Sequence, residues 1–175
     1  MDDIILTVPD SSYSDEISSY RREFLECGSS MDGTGSLRSM ENPKEWLAQV
    51  KSLSLRETVP ENLVQSTQFI AVRPSDGRIV GMMQLRHYFN EYLEKFGGHI
   101  GYSVRPAERR RGYASRMLAG ILPYCREVGL ERVLITCLKT NEASRRTILK
   151  NGGVFERTVF EPSENVNMER YWITL

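Results

Sequence analysis

The chain has 175 residues, and its 23 lysines and arginines are balanced by 23 aspartates and glutamates, so the formal net charge is zero. Charged residues make up 26% and hydrophobic residues 40%, which is ordinary for a globular protein and argues against a disordered chain. A zero balance also argues against a protein that coats nucleic acid or an anionic membrane. The length predicts one domain spanning residues 1–175.

The cysteines and the N-terminus bear on where the protein is located, and they indicate no metal or redox site. Cys27, Cys125 and Cys137 are odd in number and have no spacing typical of a zinc site or a redox pair. Met1-Asp2-Asp3 is acidic where a secretory signal would be basic, and no apolar run approaches the roughly 18 residues of a membrane span. We therefore expect a cytoplasmic protein with no metal site and no membrane partner.

The N-terminal part, residues 1–66, predicts one short strand followed by two helices. The apolar run 4–8 predicts the strand, and residues 15–27 have the apolar spacing of a helix. Glycine and serine dominate residues 28–39, which predicts a loop. Pro43 then begins the second helix, since a proline in the first turn loses no hydrogen bond.

The core, residues 67–155, begins with strands. Three strands are predicted, at 69–72, 79–85 and 99–104. The first two flank Pro74-Ser75-Asp76-Gly77, whose turn chemistry predicts a hairpin. A polar and aromatic connection, residues 87–98, leads to the third strand.

The pattern then changes to alternating helices and strands. We predict helices over 112–128 and 141–150, and strands over 133–138, 154–160 and 167–174, the residues from 156 to 175 closing the fold. A strand–helix–strand crossover implies two parallel strands. The expected fold class is therefore α/β, with a mixed, mostly antiparallel twisted sheet, a central parallel strand pair and flanking helices.

One segment carries a site signal, because it joins the strand at 99–104 to the start of the helix at 112. Backbone N–H groups at a helix start have no intrahelical partners, and the helix dipole adds positive charge there. Four arginines and one glutamate within residues 105–111 leave three net positive charges. Gly112 allows a ligand to approach the backbone closely. The segment therefore predicts a phosphate or pyrophosphate site.

These motifs resemble those of the GNAT superfamily of N-acetyltransferases. Arg109-x-x-Gly112-x-Ala114 fits the family's pyrophosphate loop, Gln/Arg-x-x-Gly-x-Gly/Ala. Asn141-x-x-Ser144, followed by Lys150-Asn151-Gly152-Gly153-Val154-Phe155, is similar to its asparagine-led helix and Gly–Phe exit. The resemblance implies a GNAT-like acyl-CoA N-acyltransferase fold. It also implies acetyl-CoA as cosubstrate and direct attack by an amine acceptor in a ternary complex.

The resemblance also implies which residues bind the cofactor. They lie on the strand before the loop, on the loop, and on the asparagine-led helix: Tyr102, Ser103, Val104, Arg109, Arg110, Arg111, Gly112, Tyr113, Ala114, Ser115, Asn141 and Ser144. The strand would pair with the pantetheine amides, because the family splays two parallel strands apart there. The simpler alternatives stay open: a helix cap for Asn141, an ordinary first-turn residue for Ser144, and a solvated turn or an RNA-binding patch for the arginines.

The catalytic residues are less certain from the sequence. His99, near the start of a strand, is the candidate general base, although a structural role for it and the rival bases Glu91 and Glu94 stay open. Ile148 occupies the position at which many relatives carry a tyrosine that protonates the leaving thiolate. The proton sources that stay open are Tyr102, Tyr113 and bulk water.

The acceptor cannot be identified from the residues. Residues 10–66 and 87–98 are expected to line its entrance, and Tyr171-Trp172 are candidates for its pocket. A small-molecule amine, a protein N-terminus and a lysine side chain stay open, as does a homodimer. The alternative to an enzyme is a non-catalytic sensor or scaffold that binds acetyl-CoA or CoA. Nucleic-acid binding through the arginine loop is a third, disfavoured by the charge balance.

Overall fold

A computed structural model describes residues 3–175. In chain order the elements are β1 (Ile5–Thr7), α1 (Ser14–Glu26), α2 (Pro43–Ser54), β2 (Ser66–Arg73), β3 (Arg78–Arg86), β4 (Ile100–Val104), α3 (Tyr113–Glu127), β5 (Arg132–Leu138), α4 (Glu142–Lys150), β6 (Val154–Glu161) and β7 (Val166–Thr174). Each helix and strand predicted from the sequence is present, with small displacements of its ends. The connection 87–98 additionally contains a π-helical turn, Leu93–Gly97.

The strands form two antiparallel sheets, ordered β1-β2-β3-β4 and β5-β7-β6. The sheets meet where β4 and β5 begin: the His99 N–H donates to the Leu134 carbonyl at 2.8 Å. Beyond that point no ladder joins the two strands within residues 3–175. The predicted α/β class with antiparallel pairing and flanking helices is confirmed. The strands on either side of the α3 crossover, β4 and β5, are separated by a gap where the sequence predicts a parallel pair; it is hereafter called the β4–β5 gap.

Helices cover both faces of the larger sheet. The core on one side includes Met117, Leu118 and Ile121 of α3 and Ile148 of α4, whereas the core on the other side is built around α1 and α2. Because side chains alternate along a strand, Tyr102 of β4 packs toward α3 and α4. Its neighbours Ser103 and Arg105 point toward α1.

The sequence explains why α3 begins and ends where it does. Its apolar residues recur at three- and four-residue steps, so one stripe of the helix is buried. Gly112, with φ of +75°, precedes the first helical residue. Gly129, with φ of +87°, follows the C-cap and supports the closing hydrogen bonds of the last turn. Because only residues 105–112 separate β4 from α3, the helix N-terminus lies at the same end of the sheet as the end of β4.

The structure also bears on the cysteines, on membrane-spanning helices and on metal ligands. The three cysteines are unpaired, and no helix among residues 3–175 is long and apolar enough to cross a bilayer. Within the same residues, no three histidine, cysteine, aspartate or glutamate side chains lie close enough together to hold a metal ion.

Candidate functional site

The arginine loop leads into an open helix N-terminus. The first helical hydrogen bond of α3 runs from the Arg116 N–H to the Gly112 carbonyl, so the helix itself supplies no carbonyl for the N–H groups of the turn before it. A Cβ built on Gly112 would meet no atom within 4 Å, which leaves the backbone accessible. Arg110 has a φ of +63°, unusual for a residue with a side chain. The geometry thus fits an anion at this turn.

The first two arginines of the segment do not face this turn. Arg105 is 1% exposed; its guanidinium donates to the Ile79 carbonyl at 2.7 Å and pairs with Glu16 at 2.9 Å. Arg109 donates to the Val104 carbonyl at 3.2 Å and lies over the Phe24 ring. The sequence-based count of three net charges therefore overstates the positive charge available to a ligand, because Arg105 is buried and Arg109, although exposed, is held against Val104 and Phe24.

The other two arginines remain exposed at the turn, above a buried carboxylate. Glu108 accepts a hydrogen bond from Arg73 at 2.9 Å and forms ion pairs with Arg78 at 3.3 Å and Arg111 at 3.2 Å. Arg110 and Arg111 are exposed, and they carry the charge that a ligand would meet. Tyr113 is buried, and its hydroxyl accepts from Arg73 at 3.1 Å, so its side chain is not placed to donate a proton in the β4–β5 gap.

The backbone of β4 alternates between β3 and the β4–β5 gap. The Arg86 N–H donates to the His99 carbonyl at one end of β4, and the Arg105 N–H donates to the Val80 carbonyl at the other. With this register, every second residue between them, Gly101 and Ser103, directs its backbone groups to β3. The N–H and C=O groups of Tyr102 and Val104 therefore point into the gap, where the Val104 carbonyl already accepts from Arg109. Of the three strand residues expected to face pantetheine, Tyr102 and Val104 have the required backbone orientation and Ser103 does not.

Ser103 instead connects β4 to the N-terminal elements. Its Oγ donates to the Asp32 carbonyl at 2.6 Å. The Tyr20 hydroxyl donates to the Ser103 carbonyl at 3.0 Å, and burial raises the pKa of Tyr20, which keeps this hydroxyl protonated. Ser103 therefore fixes loop 28–39 and α1 on the face of β4 opposite α3 and α4.

Two hydroxyl groups meet beside the β4–β5 gap. The Tyr102 hydroxyl lies 2.7 Å from Ser144 Oγ, and burial raises the pKa of Tyr102 to about 12. Asn141 accepts the Ser144 N–H at 3.0 Å and so caps α4. The thiol of Cys137 is close to Ser144, and burial raises its pKa to about 11. Ile148 is fully buried in the core.

The remaining two cofactor candidates lie at the start of α3. Ala114 and Ser115 are half-buried in its first turn. Ser115 Oγ accepts from the Asn151 side chain at 3.2 Å, which ties the start of α3 to the end of α4. The structure therefore brings the loop, the β4 backbone and the start of α4 together around the β4–β5 gap.

His99 joins the two sheets and is not oriented as a base. Its Nδ1 accepts the Leu134 N–H at 2.9 Å, which assigns the ring proton to Nε2. The ring packs 3.9 Å from that of Phe89. Burial, followed by the charge of Arg86, lowers the pKa of His99 to about 4. Since its accepting nitrogen is occupied, this geometry suits a positioning residue better than the general base expected from the sequence.

The rival bases lie on the surface of the connection 87–98. Glu91 pairs with Lys95 at 2.6 Å. Glu94 has an exposed side chain, and its carbonyl accepts from the buried Arg170 at 2.5 Å. This connection, with Thr136 Oγ1 donating to the Phe96 carbonyl at 2.6 Å, ties β4 to the second sheet rather than presenting a carboxylate to the gap.

The two aromatic residues expected in an acceptor pocket have other contacts. Tyr171 is buried, and its hydroxyl donates to Glu169 at 2.6 Å. Glu169 also forms an ion pair with Arg145 at 2.9 Å. Trp172 lies under the Arg132 guanidinium, 4.2 Å from its ring centre. Tyr171 in particular is part of the core.

Sequence reasoning missed the close contact between loop 28–39 and β4. A Cβ on Gly33 would fall well inside van der Waals distance of the Gly101 carbonyl, so the two backbones touch. An isolated glycine in a strand often marks such an approach, and Gly101 was therefore a usable signal. The contact places Asp32, next to Gly33, on the face of β4.

The fold is similar to those of three solved acetyltransferases. A ribosomal-protein alanine acetyltransferase from Vibrio fischeri is 15% identical, with a TM-score of 0.75 and coverage of 99% of this chain and 94% of that one. A microcin self-immunity acetyltransferase in complex with acetyl-CoA and AMP is 17% identical, with a TM-score of 0.73 and coverage of 100% and 94%. A ribosomal-protein α-N-acetyltransferase in complex with coenzyme A is 13% identical, with a TM-score of 0.72 and coverage of 98% and 94%. At these identities the likeness shows the fold alone.

Comparison with curated protein sequences gives no match. A family model described as an acetyltransferase (GNAT) domain matches residues 21–154. That range contains the β4–β5 gap, the arginine loop and α4. With most of its length matched by this model, the chain belongs to the GNAT family of acetyltransferases.

Proposed function

We propose that the protein transfers an acetyl group from acetyl-CoA to an amine acceptor. The observation that carries the proposal is the β4–β5 gap, which has unpaired strand backbone on one side and an open helix N-terminus at its end. A long ligand with amides at one end and phosphates at the other matches this arrangement. The missing ladder leaves backbone groups of β4 without strand partners, and a ligand that pairs with them would offset that cost.

The residues present fit acetyl-CoA. The N–H groups of Gly112, Ala114 and Ser115 and the guanidinium groups of Arg110 and Arg111 would hold the pyrophosphate. The backbone groups of Tyr102 and Val104 would pair with the pantetheine amides. Asn141 caps α4 through its carbonyl oxygen, and its NH₂ group remains available to donate to the same arm.

When bound, acetyl-CoA supplies an activated acyl thioester. The Tyr102 N–H points into the gap and would donate to the thioester oxygen, where negative charge develops during attack. The Tyr102 and Ser144 hydroxyls would pass a proton to the leaving sulfur. Because the pKa of Tyr102 is about 12, this hydroxyl is protonated at neutral pH and is competent to donate.

Direct attack by the amine is preferred to an acetyl-cysteine route. Cys137 is the thiol nearest the hydroxyl pair, but burial raises its pKa to about 11, so it is almost entirely an unreactive thiol at neutral pH. The amine must itself be neutral to attack. A ternary complex, with the cofactor and the acceptor bound together, is therefore the simplest mechanism.

The solved relatives support this choice of cofactor and acceptor. One was solved with acetyl-CoA and AMP and another with coenzyme A. Two are named for acetylation of ribosomal proteins. A protein N-terminus and a small amine are accordingly the acceptor classes to test.

The first experiment is a thermal unfolding scan with acetyl-CoA. At about 100 times the dissociation constant, binding adds roughly 2.7 kcal/mol to the free energy of unfolding, a shift of several degrees for a chain of this size. Gly112→Trp should abolish the shift by filling the open turn. Gly129→Trp is the matched control, since it has a similar positive φ and open space at the other end of α3.

The second measurement is thiol release from acetyl-CoA with a panel of amines. Binding together with amine-dependent release would support the transferase. Binding without release from any amine would favour a sensor or scaffold that uses the same site. No shift at saturating acetyl-CoA, or an equal shift in Gly112→Trp, would contradict the cofactor site itself.

A further inference from the structure

Loop 28–39 presents a fixed aspartate on the α1 and α2 side of β4. Ser103 Oγ donates to the Asp32 carbonyl at 2.6 Å, and the buried Gln68 side chain donates to the Gly33 carbonyl at 2.8 Å. Trp46 Nε1 donates to the Thr34 carbonyl at 2.8 Å. The backbone here is therefore rigid, while the Asp32 side chain is exposed.

The Asp32 carboxylate has little to do in the fold. It accepts the Ser30 hydroxyl at 3.0 Å. It has no ion pair with any of residues 3–175. Its negative charge partly offsets the burial that lowers the pKa of Arg86, but the two side chains form no ion pair, so the carboxylate is available to a ligand.

Arg86, at the end of β3, reaches the same place. A Cβ built on Gly101 would lie 3.4 Å from one Arg86 guanidinium nitrogen and 3.2 Å from the Gly33 backbone. Gly33 and Arg86 therefore pack against Gly101 on the same face of β4, a packing hereafter called the Gly101 contact, and Asp32 precedes Gly33 in the chain. The other terminal nitrogen of Arg86 donates to the Gly97 and Gly98 carbonyls at 3.1 and 3.2 Å.

Arg86 is half-buried and has no carboxylate within 4.0 Å among residues 3–175. Buried arginines elsewhere do have one: Arg105 with Glu16 at 2.9 Å and Arg170 with Glu156 at 2.5 Å. Removing a cation from water without an anion is costly. An anionic group on a ligand would offset that cost.

The Gly101 contact lies next to the β4 backbone that borders the β4–β5 gap. Gly101 immediately precedes Tyr102, whose backbone faces the β4–β5 gap, and adjacent strand residues are about 3.3 Å apart. The Gly101 contact is on the α1 and α2 face of β4, opposite the face on which Tyr102 meets Ser144. An amine held there would reach the gap from the side that the cofactor site leaves open.

We propose that Asp32 binds the ammonium group of the acceptor and Arg86 binds an acidic group on the same molecule. The acceptor class is thus an amine that also carries a carboxylate or phosphate, such as a free amino acid. This inference rests on the proposed function and narrows it. A simple alkylamine would leave Arg86 without an anion, and so would a lysine or N-terminus with no acidic neighbour.

The test measures thiol release from acetyl-CoA with matched acceptors. Each amino acid is compared with its α-carboxamide, and O-phosphoethanolamine with ethanolamine, so that the two arms separate carboxylate from phosphate. The proposal expects kcat/KM to be at least tenfold higher for the acidic member of one pair. Arg86→Gln should remove that preference and Arg86→Lys should retain part of it, whereas Arg126→Gln, an exposed arginine on α3, should change nothing.

Asp32→Asn is the second variant, because its backbone contacts remain. It should lower kcat/KM at least tenfold for every acceptor, while the thermal shift with acetyl-CoA stays unchanged. If Arg86→Gln fails to fold, Arg86→Lys and Asp32→Asn still decide. Equal rates for acidic and amide acceptors, an undiminished preference in the Arg86 variants, or an undiminished kcat/KM in Asp32→Asn would overturn this inference and leave the transferase standing. No release from any acceptor, with acetyl-CoA binding intact, would overturn both.

Discussion

The hydroxyl oxygens of Tyr102 and Ser144 lie 2.7 Å apart and join β4 to the first turn of α4 beside the β4–β5 gap. The two residues are 42 positions apart in the chain. Ile148, at the position where the resemblance led us to look for a proton donor, is fully buried. The hydroxyl pair therefore offers a proton source that a count along α4 does not reveal.

Removing either hydroxyl should slow the reaction without affecting cofactor binding. General acid catalysis typically contributes 10²–10⁴-fold, so Tyr102→Phe should lower kcat by about 10²-fold, and Ser144→Ala by a similar or smaller factor. The thermal shift with acetyl-CoA should be retained in both. Tyr124→Phe, on an exposed part of α3, is the control. A Tyr102→Phe enzyme with unchanged kcat would exclude this proton route.

A methyl group at Gly33 should push loop 28–39 away from β4. The added Cβ would clash with the Gly101 backbone, and φ at Gly33 is +72°. We expect Gly33→Ala to lower the free energy of unfolding by about 2–4 kcal/mol and to weaken acceptor-dependent turnover. Gly28→Ala, with φ of +63° and open space, should cost only about 1 kcal/mol. Chemical denaturation of the pair measures the difference, and equal losses would contradict a tight loop–strand contact.

His99 should make the protein less stable in mild acid. Burial is the main cause that lowers its folded-state pKa from 6.5 to about 4. The unfolded chain therefore binds this proton first as the pH falls, and the free energy of unfolding declines between pH 6.5 and 4 by up to about 3 kcal/mol. His99→Gln should flatten this part of the profile. An unchanged slope would mean that His99 is not held neutral by the fold.

Glu169 should affect the free energy of unfolding at a lower pH than His99 does. Burial raises the pKa of Glu169, but the hydrogen bonds from Tyr171 and Arg145 outweigh it, so the net direction is downward. Its stabilisation is present above the unfolded pKa of about 4.3 and is lost as the pH falls through the lower folded pKa. Glu169→Gln should therefore cost about 1–3 kcal/mol at pH 7 and progressively less below pH 4. Glu127→Gln, on the exposed end of α3, is the control; matching pH profiles for the two variants would contradict the account.

Much of the fold could be read from the chain because its signals are local. The apolar period of α3, the turn residues between β2 and β3 and the asparagine that caps α4 each act within a few neighbouring residues. The arginine loop is similar, since Gly112 and the helix start after it are adjacent in sequence. Such features depend on backbone preference and periodicity, which a sequence states directly.

Side-chain partners were less predictable, because they come from distant parts of the chain. Arg105 and Arg109 both add to the positive charge of the arginine loop in the sequence, and only their contacts with α1 and the end of β4 show how the fold holds them. His99 looks like a base until β5 supplies the N–H that occupies Nδ1. Long-range pairing of this kind depends on three-dimensional proximity, which cannot be read from a single sequence.

The sequence by itself determined the order of the elements, the α/β class and the place of the open helix start after the arginine loop, because each follows from residues within one helix turn or one strand. Only the tertiary structure decided which backbone groups of β4 face the β4–β5 gap, that Tyr102 meets Ser144, and that Gly33, next to Asp32, and Arg86 pack against Gly101. These depend on strand register and on contacts between β3, β4, α4 and loop 28–39. Register is set by the packing of whole faces, and a shift of one residue would reverse every assignment.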